Sequence, residues 1–141
     1  MSDSKTSETR VLLLEPNAAL RSAIMTVLGA EHYQVDVCDS LEDVLVGTDH
    51  LAQTVALVAW QSMEGLLAEE HRHHLTELTR RVRLVVMVPR RWARLLESTD
   101  LASAVAGLVA KPFEAQELLD KLMGALTWSL EADAESLSQS R

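Results

Sequence analysis

An α/β fold built on one five-stranded parallel sheet follows from three features of the sequence. Three short apolar runs, Val11–Leu14 (VLLL), Thr54–Trp60 (TVALVAW) and Leu84–Val88 (LVVMV), have the composition of strands buried on both faces. Segments with helical spacing separate them. No repeat or linker interrupts residues 11–130, so the alternation belongs to one domain.

The elements follow in order. Met1–Arg10 is rich in Ser and Thr and is expected to be a disordered lead-in. Val11–Leu14 is the first strand. Asn17 offers an N-cap, and Ala18–Ala30 places Leu20, Ile24, Val27 and Leu28 at helical spacing. Tyr33–Cys38 alternates apolar and polar residues, as a half-buried strand near a sheet edge does. Ser40 with Asp43 three residues on resembles a capping box opening a short helix over Leu41–Val46. Thr54–Trp60 is the central strand. Met63–Arg81 is helical in pattern, with Leu66, Leu67, Leu75 and Leu78 apolar. Arg83–Val88 is the fourth strand. Trp92–Leu101 is the helix after it, with Trp92, Leu95 and Leu96 expected in the core. Gly107–Ala110 is a short fifth strand, and Glu114–Leu130 is an amphipathic helix with Leu118, Leu119, Leu122 and Leu126 inward. Residues 131–141 form a flexible acidic and polar tail. Right-handed crossovers leave few topologies for (βα)5, and the flavodoxin-like order 2-1-3-4-5 is the expected one.

Composition narrows the function. The 141 residues suit one domain, and the net charge of −8 argues against a nucleic-acid binder. Cys38 is the single cysteine, so no internal disulfide forms and a reducing compartment fits. No run approaches the ~18 apolar residues of a membrane span. The polar N-terminus lacks the apolar core of a signal peptide. A cytoplasmic location is expected.

In an open parallel sheet, ligands sit beyond the carboxyl ends of the strands. There the chain presents Glu15-Pro16-Asn17, Ala59-Trp60-Gln61 and Pro89-Arg90-Arg91. One acid, two prolines and no clear nucleophile make a poor catalytic set. Gly107–Phe113 (GLVAKPF) before an acidic helix start, Val11–Arg21 (VLLLEPNAALR), and the distance from Pro89 to Lys111 together resemble the receiver domain of two-component response regulators. The resemblance covers about Val11–Leu126. It implies a site in which an aspartate ending the third strand accepts a phosphoryl group from a histidine kinase. Magnesium held by an acidic pair and a lysine offset the charge of the transition state. A hydroxyl after the fourth strand and an aromatic in the fifth follow the phosphate.

The sequence departs from that pattern at nearly every position. The acceptor position falls on Ala59 or, in a shifted match, on Trp60, and neither side chain accepts a phosphoryl group. Glu15 retains one acid of the pair, and Pro16 replaces the other. Pro89 and Leu108 stand at the two switch positions, while Lys111 remains. The expected protein is therefore a degenerate receiver that is no enzyme and has no cofactor or metal. It is expected to act by phosphorylation-independent protein contacts in signalling or transcription regulation. Two alternatives stay open: phosphorylation on an unorthodox residue such as Glu64, and sensing of a small anion by Lys111 with the arginines after the fourth strand. Lys111 either pairs with Glu15 or reaches solvent. The resemblance also implies a cis peptide before Pro112, a turn feature without chemistry.

Other clusters carry weaker signals. Glu70-His71-Arg72-His73-His74 places Glu70, His71 and His74 within metal-ligand spacing on a helix, yet such mixtures are usually solvated surface. Arg80, Arg81 and Arg83 precede the fourth strand, and Arg90, Arg91 and Arg94 follow it, so they form two separate patches. Trp128 projects from the polar side of the last helix, as a contact residue or as part of a frayed terminus. The resemblance implies a dimer or partner surface made by the fourth helix, fifth strand and fifth helix. Arg90, Arg91, Arg94 and Trp128 are its candidate residues, in a homodimer or with another protein, with no membrane or direct nucleic-acid contact.

Overall fold

The computed structural model describes residues 9–46, 54–63, 79–80, 82–97 and 105–127. Its strands are β1 (Arg10–Leu14), β2 (Gln34–Val37), β3 (Thr54–Ala59), β4 (Arg83–Pro89) and β5 (Gly107–Lys111). All neighbouring pairs are parallel, and the order is β2-β1-β3-β4-β5, the flavodoxin-like (βα)5 arrangement. The helices are α1 (Ala18–Ala30), α2 (Leu41–Val46), α3 (Arg90–Glu97) and α4 (Ala115–Leu126). Of the helix expected over Met63–Arg81, Thr79 and Arg80 are helical and Met63 closes a turn; residues 64–78 lie outside the described ones.

Strand composition explains the two-sided core. Every residue of β3 is buried, as are Val11–Leu14 of β1 and Leu84–Val88 of β4. Successive side chains alternate between the faces of the sheet. Val11, Leu13, Val55, Leu57, Ala59, Val85, Met87 and Val109 pack with Ile24 and Leu28 of α1 and with Leu118, Leu122 and Ala125 of α4. Leu12, Leu14, Ala56, Val58, Leu84, Val86 and Val88 form the other face with Val44 of α2 and Met63, and Ala93 of α3 packs against them. Each buried Val, Leu, Ile or Met among them contributes about 1.5–3 kcal/mol when fully removed from water, which gives the sheet its directional register. The edge strand β2 is mostly exposed, as its alternating sequence implies, and Asp36 pairs there with Arg10 of β1.

Helix ends are set by local chemistry. The Asn17 side chain accepts from the Leu20 N–H at 2.9 Å and opens α1. At its other end, the Tyr33 N–H bonds the Leu28 carbonyl and the His32 N–H bonds the Gly29 carbonyl, a Schellman motif. His32 occupies its left-handed position at φ 68°, where glycine is the usual residue. Ser40 Oγ accepts from the Asp43 N–H at 3.2 Å, while the Asp43 carboxylate accepts from Asp39 instead of closing the box on Ser40. Glu114 and Glu117 form a full capping box at the start of α4.

Three expectations change. Arg10 belongs to β1, and Thr9 before it is buried, so the last residue of the expected lead-in is part of the sheet. β3 ends at Ala59, and Trp60 opens a 3₁₀ turn over Trp60–Ser62. Trp92 is not a core residue: it is 43 % exposed. The reason is the start of α3 at Arg90, two residues before the expected one, which turns Ala93 onto the sheet and leaves Trp92 at the rim. Leu101 and the rest of residues 98–104 lie outside the described region, as does the end of the last helix beyond Thr127.

Candidate functional site

The carboxyl ends of β1, β3, β4 and β5 bring Glu15, Ala59, Pro89 and Lys111 onto one edge. Leu14 pairs with Val58, so Glu15 stands level with Ala59. Ala59 pairs with Met87, and Pro89 with Lys111, so Pro89 and Lys111 stand level with each other two residues further along their strands. Ala59 shares the face of Leu13 and Leu57, and Lys111 continues the face of Val109. Trp60 packs instead against the opposite core.

Across this edge, Lys111 Nζ donates to Glu15 Oε1 at 2.6 Å. The Glu15 side chain is 1 % exposed and the lysine 21 %. From β5 to β1 the sheet spans three strand spacings, roughly 14 Å. The two side chains bridge that distance over positions filled by Ala59 and Pro89, neither of which carries a long side chain. The remaining carboxylate oxygen, Oε2, accepts the Asn17 N–H at 2.9 Å. Arg21 Nη1 donates to the Glu15 carbonyl at 3.0 Å and braces the same turn. Both oxygens of a buried carboxylate are thus satisfied, one by a cation and one by a backbone donor. No buried side-chain nitrogen or oxygen among the described residues lacks a partner.

The other predicted positions surround this pair. Pro16 is exposed beside it and presents no carboxylate, and Leu108 packs on the α2–α3 side of the sheet. The Lys111–Pro112 peptide is cis. The Pro112 carbonyl accepts from Arg90 Nη2 at 2.7 Å, which ties the start of α3 to the β5–α4 connection. Arg91 and Arg94 are exposed on α3, and the Arg91 guanidinium lies 5.9 Å from the Trp92 ring centroid. Trp128, Glu64 and the Glu70–His74 cluster lie outside the described residues. Among the described residues no group of three His, Cys, Asp or Glu forms a metal cage.

Sequence reasoning missed the braces of the site. The Asn17 cap signal identified the helix start but not that the same residue's N–H holds Glu15. Arg21 carried no signal, and the Arg90–Pro112 contact becomes visible only once β4 and β5 are in register. Cys38, at the end of β2, has its thiol pKa pushed up by burial and by the neighbouring Asp43, Asp36 and Asp39. That keeps it protonated and a weak nucleophile.

The fold is shared with known structures. The signal receiver domain of a two-component response regulator from Bacteroides fragilis aligns at TM-score 0.66 and 20% identity, covering 86% of this chain and 98% of that one. A CheY-like receiver domain protein from Methanospirillum hungatei aligns at TM-score 0.59 and 18% identity over 84% and 97% of the two chains. A protein described as adenylate cyclase from Rhodopirellula baltica aligns at TM-score 0.66 and 16% identity over 94% and 98%. The sequence matches no protein-family model, and no curated protein matches it. The chain therefore has the receiver-type, CheY-like form of the flavodoxin-like fold, with a charged pair closed over the carboxyl edge of its sheet. No helix among the described residues is long and apolar enough to cross a membrane.

Proposed function

We propose that this chain is a receiver-like module of bacterial signalling that works by protein contact, without phosphoryl transfer and without catalysis, in the cytoplasm. The observation that carries the reading is the Lys111–Glu15 ion pair over Ala59. Phosphoryl transfer to a carboxylate requires a nucleophile, a divalent cation and a free positive charge at one place. Here Ala59 supplies no nucleophile, Pro16 supplies no second carboxylate, and the lysine is already neutralised by Glu15. The same pairing weighs against the small-anion reading, because an anion at Lys111 must displace a buried carboxylate that has no other cation among the described residues.

The fold neighbours named as receiver domains support the signalling class. The partner, another protein or a second copy, is assigned to the face of α3, β5 and α4. With Pro89 and Leu108 at the switch positions this face is held in one state, so association is constitutive. The test of the first part is intact mass after incubation with a small phosphodonor and magnesium. The mass stays that of the unmodified chain, and a phosphoryl adduct on any residue overturns the reading. The test of the second is sedimentation of Trp128→Ala and of Arg90→Glu with Arg94→Glu. Both variants lose association in low salt; if both sediment like the parent, the interface lies elsewhere.

A further inference from the structure

We propose that the exposed face of α3 docks an acidic peptide segment of a partner protein, with the Trp92 indole as the apolar anchor and Arg91 and Arg94 as the charged ones. The proposal rests on the protein-contact reading above and names the chemistry of the partner. Arg90, Arg91 and Arg94 are exposed on a helix of eight residues, in a chain whose net charge is −8. Neither Arg91 nor Arg94 makes an ion pair among the described residues, so their guanidinium donors remain available to carboxylates.

The patch is also partly preorganised. Arg90 is held by the Pro112 carbonyl and fixes the start of the helix against the β5–α4 connection. The Arg91 guanidinium lies 5.9 Å from the Trp92 ring centroid, within cation–π range, which favours conformers that keep the two together. Less freedom is then lost on binding. Trp and Arg are the residue types that carry most interface energy, and a tryptophan 43 % exposed beside free arginines has that composition.

Shape and charge separate the occupants. A helix face is convex, whereas small-molecule sites are concave and bury most of their ligand. The acidic chain repels any polyanion at long range, so the local arginines suit a short acidic segment that ends within their reach better than the continuous charge of a nucleic-acid backbone. A segment rich in Asp and Glu with one apolar side chain fits both the local arginines and the indole.

The test uses the full chain and fluorescent peptides. One is a short run of Glu and Asp around a leucine; the other replaces the acids with Gln and Asn. A single-stranded oligonucleotide serves as a third probe. In low salt the acidic peptide binds, and Arg91→Glu with Arg94→Glu weakens it by about tenfold or more, while Trp92→Ala weakens it several-fold. All three side chains are exposed, and thermal melts check that the variants remain folded. Equal binding of the two peptides, or unchanged binding by the charge-reversed variant, overturns the proposal. Binding of the oligonucleotide without the acidic peptide overturns it in favour of nucleic acid. Self-association that the arginine variant abolishes, again without peptide binding, assigns the face to a second copy and overturns it too. That last outcome leaves the protein-contact reading standing, whereas a phosphoryl adduct would overturn that reading without touching the peptide result.

Discussion

Lys111 and the arginines of α3 are neighbouring cations at the carboxyl edge of one sheet, and they are used in opposite ways. Lys111 lies over Ala59, mostly buried, and its charge is taken up by a carboxylate with almost no exposure. Arg91 and Arg94 are exposed and make no ion pair among the described residues. The first arrangement is intramolecular and satisfied, so it offers nothing to a ligand. The second costs nothing to expose and keeps its donors for a partner. Where charge is free, rather than where charge is present, is what distinguishes a working surface from a closed site.

The largest test of the contrast is Lys111→Met. It leaves the Glu15 carboxylate buried with the Asn17 N–H as its one partner among the described residues, and breaking such a pair costs about 3–5 kcal/mol. The partial exposure of the lysine places the expected loss near the lower end, about 3 kcal/mol, read from urea denaturation. Glu15→Gln together with Lys111→Met recovers most of it, since no buried charge then remains. A loss below about 1 kcal/mol for the single variant would put the pair among ordinary surface salt bridges, and the contrast with α3 would disappear.

Ala59→Asp comes next. It places a second carboxylate at a fully buried position level with Glu15, where one ammonium now serves two acids. The expected loss is about 1–2 kcal/mol at neutral pH. The variant also fails to acquire a phosphoryl group, because Pro16 still supplies no second acid beyond Glu15. Adding Pro16→Asp is what restores magnesium-dependent labelling. An adduct on the single variant, seen by intact mass, would mean that Lys111 and Glu15 are less committed to each other than their geometry implies.

A smaller effect probes the far edge of the sheet. Burial, then Asp43, Asp36 and Asp39, raise the Cys38 pKa in the folded state. A raised pKa means that the folded chain holds the proton more tightly than the unfolded one. The associated stability is complete below the ordinary thiol range and is lost as pH rises through it, above about 8.5. Tyr33, raised by burial and by Glu31, shifts stability in the same direction at higher pH. Stability measured between neutral and alkaline pH therefore falls in the parent, and Cys38→Ala flattens the earlier part of the fall. Alkylation of Cys38 near neutral pH is slower in the native chain than in urea. A native rate equal to the unfolded one would remove burial as the cause.

The sheet was legible because it rests on one-dimensional patterns. Val11–Leu14, Thr54–Ala59 and Leu84–Val88 are apolar on both faces, and nothing but a covered parallel sheet accommodates them between helices. The Glu15–Lys111 pair was one of two readings, since 96 residues separate its members and only strand order decides whether they meet. Trp92 was misjudged through phase. Its spacing with Leu95 and Leu96 is the same in any helix, but the position of the first turn decides which side faces the sheet, and Arg90 begins that turn. No residue near His32 signals its left-handed backbone, because the Schellman motif normally announces itself with glycine.

The smallest expected effect sharpens the comparison most. Arg91→Ala with Arg94→Ala removes two charges from the same edge as Lys111, yet should change folding stability by less than about 0.5 kcal/mol. Both side chains are exposed, neither has an ion-pair partner among the described residues, and Arg91 lies within cation–π range of the Trp92 ring. A cation–π contact at an exposed site is worth about 0.5–1 kcal/mol at most, and removing two like charges one turn apart on a helix offsets part of it. Urea melts at low and at high salt provide the check. Near-identical midpoints for parent and variant under both conditions mean that the fold makes no use of these arginines, which leaves their charge for something outside the chain. A loss comparable to that of Lys111→Met would mean that α3 is held in place by its arginines, and the two regions would then differ in exposure without differing in role.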